Sequence, residues 1–234
     1  MDQQSTRGDH LSAVSALGEP NRRILYDYVV AAGVWVGRDE AADATGLQRG
    51  VSAHHLDRLA DDGLLEVEYQ RLTGRTGPGA GRPAKVYRRT RSDFNVSLPP
   101  RDYEFVGRLL ADAIADVQAN GGDVAVAVAS VAADAGRQLA RVMTARISGG
   151  KSGDAFSTVL DVLREHGFEP HERDDGTVLL RNCPFRLVAQ RHTDLICGMN
   201  YAMISAAVGE LGDVGLDAVL APDAEACCVR LVRR

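Results

Sequence analysis

The sequence predicts an α+β protein in three parts: helices followed by a β-hairpin, then a pair of long helices, then a small α/β domain. Three observations carry this prediction. Helix-spaced apolar residues precede two strand-like segments that flank a glycine- and arginine-rich loop, the composition changes after Pro99-Pro100, and all four cysteines lie from Cys183 onward. The predicted boundaries are residues 1–97, 98–147 and 148–234.

The composition is that of an ordinary globular protein. The chain has 234 residues, of which 45% are apolar and 25% charged, and its net charge is -5. The start, MDQQSTRGDH, has no apolar core, and no run of 18 apolar residues occurs, so we expect a cytoplasmic protein without a membrane span. Four cysteines in that compartment are normally reduced, which leaves metal binding, redox chemistry or burial as their role.

The N-terminal part is predicted to hold a helix-turn-helix. LSAVSALGEPNRRILYDYVVAA reads as two helices, the second opened by Glu19-Pro20, and RDEAADATGL as a short helix ending at Gly46. The next helix, QRGVSAHHLDRLADDGLL, stops at Gly63 and is placed to enter the major groove of DNA. Its predicted outward residues are Gln48, Arg49, Ser52, His54, His55 and Arg58.

A basic hairpin completes this part. Residues 69–91 carry seven Lys or Arg and no Asp or Glu, and TGRTGPGAGRPA separates the strand-like LLEVEYQRL and AKVYRRT. A basic loop at the tip of a hairpin is a wing, and its cations are suited to phosphate contact. The candidates are Arg71, Arg75, Arg82 and Lys85. The alternative is a winged helix used for protein contact, with the arginines solvated.

Three segments in this order resemble the ArsR-like winged helix regulators of bacteria: LGEPNRRILYDYV, GVSAHHLDRLADDGLLEVEY and GRPAKVYR. The resemblance covers Leu11 to about Thr90 and implies binding of double-stranded DNA. Metal-sensing members carry cysteines in the recognition region, whereas this chain has none before Cys183. His54 and His55 point about 100° apart on a helix and make a poor chelate. Any sensor is therefore expected in the C-terminal part.

Two long helices are predicted after the hairpin, DYEFVGRLLADAIADVQA and DVAVAVASVAADAGRQLARVMTARI, separated by Gly121-Gly122. Their length suggests a dimerisation element, and a homodimer suits the reading of two half-sites. The alternative is that both helices pack onto their own chain. The sequence does not separate these two readings.

The last part is predicted to be a small α/β sensor domain. A helix (AFSTVLDVLREHG), a hairpin (FEPHERDDGTVLLRNC), two helical segments and two final strands follow one another. Cys183 ends a predicted strand, Cys197 lies in a helix, and Cys227-Cys228 lie in the last strand, so folding can bring three elements together. Neighbouring strand residues point to opposite faces, so only one of Cys227 and Cys228 is expected at a shared centre.

The motif formed by Asn182-Cys183-Pro184-Phe185, His192, Cys197, Asn200 and Cys227-Cys228 resembles the C-terminal half of the SufR-type regulators, which repress iron-sulfur cluster assembly genes. The resemblance implies an iron-sulfur cluster, [4Fe-4S] favoured over [2Fe-2S], held by Cys183, Cys197 and either Cys227, slightly preferred, or Cys228. It leaves the fourth ligand open, and His192 is the nearest candidate. Loss or oxidation of the cluster would then switch the affinity for the DNA operator.

Other classes remain open from the residues themselves. A zinc- or thiol-redox-responsive winged helix regulator without a cluster is the main alternative, although the chain lacks the close C-x₂-C pairs typical of zinc. Buried, inert cysteines are a second. An enzyme is disfavoured, because Cys183 and His192 have no identifiable third partner for nucleophilic catalysis.

Overall fold

The computed structural model describes residues 7–71, 83–149, 154–212, 214–222 and 226–234. The chain divides into two compact units, Met1–Val96 and Ser97–Arg234, which we call the N-terminal and the C-terminal unit. Each contains helices and one small antiparallel sheet, so the α+β prediction is confirmed. None of the helices in the described ranges has the length and apolar character needed to cross a membrane.

Four helices and three strands are described in the N-terminal unit, within residues 7–71 and 83–96. They are α1 (Arg7–Ala16), α2 (Pro20–Ala32), β1 (Val36–Gly37), α3 (Arg38–Thr45), α4 (Arg49–Asp61), β2 (Leu65–Gln70) and β3 (Ala84–Arg89). The Glu19 carboxylate caps α2 by accepting hydrogen bonds from two backbone N–H groups, and Pro20 takes the first helical position. Gly46 ends α3 in a left-handed conformation (φ 70°) that favours glycine.

The core of the N-terminal unit lies between its helices and its sheet. The strand order is β1-β3-β2, and Val67 of β2 stands opposite Tyr87 of β3. Leu25, Leu56 and Tyr87 are fully buried and bring α2, α4 and β3 together. The hairpin strands therefore pair as the sequence predicts, while the glycine-rich loop between them lies outside the described residues.

The described part of the C-terminal unit contains five helices and four strands. They are α5 (Tyr103–Asn120), α6 (Val124–Ser148), α7 (Ala155–Glu165), β4 (Pro170–Glu172), β5 (Val178–Leu180), α8 (Arg186–Arg191), α9 (Thr193–Gly209), β6 (Leu216–Leu220) and β7 (Val229–Arg233). The strand order is β4-β5-β7-β6, with every neighbouring pair antiparallel.

The long helices share one core with the cysteine-containing segments. The helix α6 packs closely on α9 at Gly136, where an added Cβ would lie 2.1 Å from the carbonyl oxygen of Met203. Buried residues of α6 such as Leu139 and Met143 belong to the same core as all four cysteines. Both long helices thus bury an apolar face within their own unit, and their role in dimerisation stays a prediction.

Candidate functional site

The four cysteines come from three separate segments of the C-terminal unit. Cys183 lies in the loop between β5 and α8, Cys197 in the second turn of α9, and Cys227 and Cys228 immediately before β7. The strands are shorter than the sequence predicts, so neither Cys183 nor the Cys227-Cys228 pair belongs to a strand. All four side chains are buried.

The four thiols form one group, which we call the thiol cluster. All four residues line one cavity. The sequence predicts that Cys227 and Cys228 do not share a centre unless a bulge intervenes, whereas the structure places both at this cavity. The chain bends at Cys228, before β7 begins, so the alternation of side chains along a strand does not apply there.

A cavity of about 240 Å³ opens beside the thiol cluster. All four cysteines line it, together with Arg186, Gln190 and Thr193. His192, the predicted fourth ligand, is exposed and is not among the lining residues. Its role as a ligand stays a prediction, and the structure brings Cys227 and Cys228 together in its place.

A hydrogen-bonded latch holds the loop that carries Cys183. Asn182 is buried, and its amide nitrogen donates to the carbonyl oxygens of Pro100 (2.9 Å) and Gly167 (2.6 Å). Arg101 donates to the side-chain oxygen of Asn182 and, at 3.2 Å, to the carbonyl oxygen of Cys183. The position of this cysteine is thus fixed by chain segments far away in the sequence.

Asn200 lies against the thiol cluster from α9. It is buried, and its amide nitrogen donates a hydrogen bond of 3.1 Å to the sulfur of Cys227. Its side-chain oxygen is buried and has no hydrogen-bond partner among the described residues. The sequence motif contains Asn200 three residues after Cys197, which places both on one face of the helix, but the sequence gives no role for it.

The thiols differ in how readily they lose a proton. A hydrogen bond from Cys227 lowers the pKa of Cys228 to about 6, against the effect of burial. A hydrogen bond from Cys227 also lowers the pKa of Cys183, whereas burial raises the pKa of Cys197 to about 12. The pKa of Cys227 is raised, because the neighbouring Cys183 and Cys228 thiols and its own burial all favour the protonated form. A thiolate is thus favoured at Cys228 near neutral pH, and thiolate is the form that binds metals.

The donor chemistry of the thiol cluster fits a sulfur-ligated metal group. Iron-sulfur clusters are held by cysteine thiolates, which can come from distant segments, and zinc is also held by four cysteines in closed sites. Within the described ranges, no group of three or more His, Cys, Asp and Glu side chains is spaced around a position for a single metal ion. The fit therefore rests on four soft donors beside one cavity, and not on preformed coordination geometry.

The predicted DNA-contacting residues of the N-terminal unit fall into two sets. Gln48, Arg49, His54 and Arg58 are exposed on or next to α4. Ser52 is fully buried, so the prediction that it faces outward is wrong. The reason is that Ser52 lies four and seven residues before Leu56 and Leu59 and shares their buried face. His55 is mostly buried, with its Nδ1 atom 3.7 Å from a carboxylate oxygen of Glu19.

Acidic residues from other elements neutralise part of the basic hairpin. Lys85 forms an ion pair with Asp57 of α4, and Arg88 forms one of 3.1 Å with Glu66 of β2. The seven cations of residues 69–91 are therefore not all unopposed, because folding brings carboxylates to them. Arg71 is exposed, whereas Arg75 and Arg82 lie outside the described residues.

Asp57 organises a polar network that sequence reasoning missed. Its carboxylate accepts hydrogen bonds from Arg38 (2.7 and 2.9 Å), from the Tyr87 hydroxyl (2.6 Å) and from Lys85. Burial raises the pKa of Asp57, but the hydrogen bonds from Lys85, Tyr87 and Arg38 outweigh it and lower the pKa overall. The network joins the start of α3, the middle of α4 and the strand β3. Nothing in the sequence LDRLADD distinguishes Asp57 from the neighbouring aspartates.

Comparison of the chain with protein-family models, with curated proteins and with solved structures found no match. The fold and the site define an α+β protein with four buried cysteines beside a cavity in one unit and, in the other, a helix with exposed Arg49 and Arg58 followed by a β-hairpin.

Proposed function

We propose that this protein is a DNA-binding transcriptional regulator, and not an enzyme, whose operator affinity is switched by an iron-sulfur cluster. The observation that carries the proposal is the convergence of four buried thiols from three segments beside one cavity. The resemblance to SufR-type regulators adds that the regulated genes are those of iron-sulfur cluster assembly and that the regulator is a repressor.

The N-terminal unit supports the DNA-binding half of the proposal. The helices α3 and α4 are joined by a short turn and packed together, and the β2–β3 hairpin follows, which is the order of a winged helix-turn-helix. Arg49 and Arg58 are exposed on α4. The pair between Arg49 and Asp39 is solvent-exposed at 3.4 Å and therefore weak, so a phosphate can take the place of the carboxylate.

The thiol cluster supports the sensing half. Cys183, Cys197 and one or both of Cys227 and Cys228 would hold the group, with [4Fe-4S] favoured over [2Fe-2S]. When bound, the cluster supplies redox and oxygen sensitivity. The chain's own contribution is to collect the sulfurs in a buried place, to fix the Cys183 loop through Asn182, and to supply the Asn200 donor. Free thiols of this kind suit the reducing cytoplasm, where we place the protein.

If the cluster is to change DNA binding, the protein must have two conformational arrangements that differ in operator affinity. We propose a homodimer in which cluster binding favours the arrangement that fits two operator half-sites. The exposed side chains of Ile114 and Val126 leave apolar surface on the long helices for such an association. Cluster loss then lowers operator affinity by linkage, since the cluster binds one arrangement better than the other.

Anaerobic purification of the full chain tests this proposal. We expect a brown protein with iron matched by acid-labile sulfide, and an affinity for mixed-sequence duplex DNA that changes when the cluster is removed by a chelator. A colourless protein with one zinc per chain, or with neither iron nor zinc, contradicts the cluster. The four buried cysteines beside one cavity favour thiol-redox or zinc sensing as the second candidate in that case.

A further inference from the structure

Asn200 is a buried polar side chain whose amide is only half satisfied, because its oxygen has no hydrogen-bond partner among the described residues. Its neighbours in the core from α9 are apolar, among them Met199 and Met203. A buried polar atom without a partner has a free-energy cost, because it loses its hydrogen bonds to water and gains none in the fold. An apolar side chain of the same size would avoid that cost, so packing alone does not account for an asparagine at this position.

The contact that Asn200 does make is with sulfur. The amide nitrogen lies 3.1 Å from the Cys227 sulfur and donates a hydrogen bond to it. A sulfur bound to a metal has no proton and only accepts hydrogen bonds. The amide N–H of Asn200 is a donor, so it can hydrogen-bond with Cys227 when this sulfur is a ligand.

We propose that Asn200 is a positioning residue of the thiol cluster: its amide orients the sulfur of Cys227 as a ligand and raises the reduction potential of the bound iron-sulfur cluster. This inference rests on the proposed function. Hydrogen bonds to ligating sulfurs are one of the means by which a protein sets the potential of a cluster. An N–H donor stabilises the additional negative charge of the reduced form, so the potential rises.

The expected effect is measurable as a shift in the equilibrium between the oxidised and the reduced cluster. A hydrogen bond to a charged acceptor is stronger than one to a neutral acceptor, and only the difference between the oxidised and reduced states moves the potential. We expect Asn200→Leu to lower the reduced-to-oxidised ratio at a fixed potential about tenfold, equivalent to about 59 mV for a one-electron couple. Asn200→Asp keeps the size but lacks the donor, and should lower the potential at least as much.

The test is a redox titration of the full-length protein, purified anaerobically with its cluster and followed by visible absorption. Met199→Leu is the matched control, since this neighbour is equally buried and forms no hydrogen bond to sulfur. We expect its potential to equal that of the wild type. Thermal unfolding of each cluster-free variant separates a positioning role from a structural one, because a positioning residue changes the potential without lowering the unfolding midpoint.

The outcomes distinguish this inference from the proposed function on which it rests. A wild-type protein without iron and sulfide contradicts the proposed function. A wild-type cluster whose potential and iron content are unchanged in Asn200→Leu and Asn200→Asp overturns the inference and leaves the function standing. If Asn200→Leu does not fold, Asn200→Asp carries the measurement. A folded variant that no longer retains iron supports the positioning role, and so does a variant whose cluster has a lowered reduction potential.

Discussion

The Asp57 network of the N-terminal unit and the thiol cluster of the C-terminal unit differ in whether their polar atoms have partners. Around Asp57, each carboxylate oxygen accepts hydrogen bonds from within the chain. In the thiol cluster, Cys227 accepts a hydrogen bond from Asn200, and the Asn200 oxygen has no partner within the described ranges. A network whose polar atoms are all paired holds a fold together, whereas sulfur and oxygen atoms with free electron pairs can still bind a ligand.

The two units also differ in net charge. Residues 1–96 carry 13 basic and 13 acidic side chains, and residues 97–234 carry 14 and 19, so the net charge of -5 belongs to the C-terminal unit. The single tryptophan, Trp35, lies in the N-terminal unit and all cysteines lie in the other. Tryptophan emission and thiol reactivity therefore report separately on the two units.

The largest expected effect is at the thiol cluster. Cys197→Ser should remove nearly all iron and sulfide from the anaerobically purified protein, because α9 then supplies no thiolate. Metal analysis per chain measures this, with Ser205→Ala on the same helix as the control. Unchanged Trp35 emission should accompany the loss. Iron content equal to that of the wild type would refute Cys197 as a ligand.

A smaller but still large effect is expected where α6 meets α9. Gly136→Ala places a methyl group against the Met203 carbonyl and should destabilise the C-terminal unit by roughly 1–3 kcal/mol. Urea unfolding followed by thiol reactivity measures it, and the Trp35 transition should not move. Gly107→Ala on α5 is the matched control, since its Cβ has nothing within 4 Å. Equal stability of the two variants would contradict the close helix contact.

The Asp57 network should matter to the N-terminal unit alone. Asp57→Asn removes the charge that Arg38 and Lys85 bind, and we expect a loss of roughly 2 kcal/mol in the free energy of unfolding. Denaturation followed by Trp35 emission measures it. Asp61→Asn, exposed on the same helix, is the control and should change stability little. A transition shifted equally in both variants would mean that the network contributes nothing specific.

Removal of a single exposed cation on α4 should have a modest effect on DNA binding. Arg49→Ala is expected to reduce the slope of log affinity against log salt by about 1 on mixed-sequence duplex DNA. Arg191→Ala, exposed in the C-terminal unit, should leave the slope unchanged. Fluorescence anisotropy across a salt series measures both slopes. Parallel lines for wild type and Arg49→Ala would exclude Arg49 as a phosphate contact.

The smallest effect is the pH dependence of the N-terminal unit. The folded-state pKa of Asp57 is lowered, so its stabilisation is complete above the pKa of a free aspartate, about 4, and is lost as pH falls through the lower folded value. Trp35-detected unfolding from pH 6 to pH 3 should show a steeper decline for the wild type than for Asp57→Asn. Identical pH profiles would show that Asp57 is not preferentially ionised in the folded state.

The sequence predicted those features that depend on local pattern. Gly46 and Gly63 mark the ends of α3 and α4, and Asp174-Asp175-Gly176 marks the turn of the β4–β5 hairpin, because backbone conformation at such positions is a local property. The gathering of cysteines from three elements was also anticipated from their spacing.

Features that depend on tertiary partners could not be predicted in this way. The sequence does not state that Asp57 meets Lys85, 28 residues away, or that Ser52 shares the buried face of α4. The shared orientation of Cys227 and Cys228 depends on where β7 begins, and element boundaries are set by pairing with other strands. The sequence motif contains Asn200 but predicts no role for it, because its partner, the sulfur of Cys227, is 27 residues away.

The Asn182 latch also sets the length of free chain between the two units. Pro100 and Arg101 are held by this latch, so residues 97–99 alone separate Val96 from the first anchored residue. Three residues span at most about 10 Å, and release of the latch would add about 3.5 Å for each further residue. A displaced Cys183 loop would therefore also lengthen the free chain before α5, because Pro100 and Arg101 are anchored through Asn182 and Cys183.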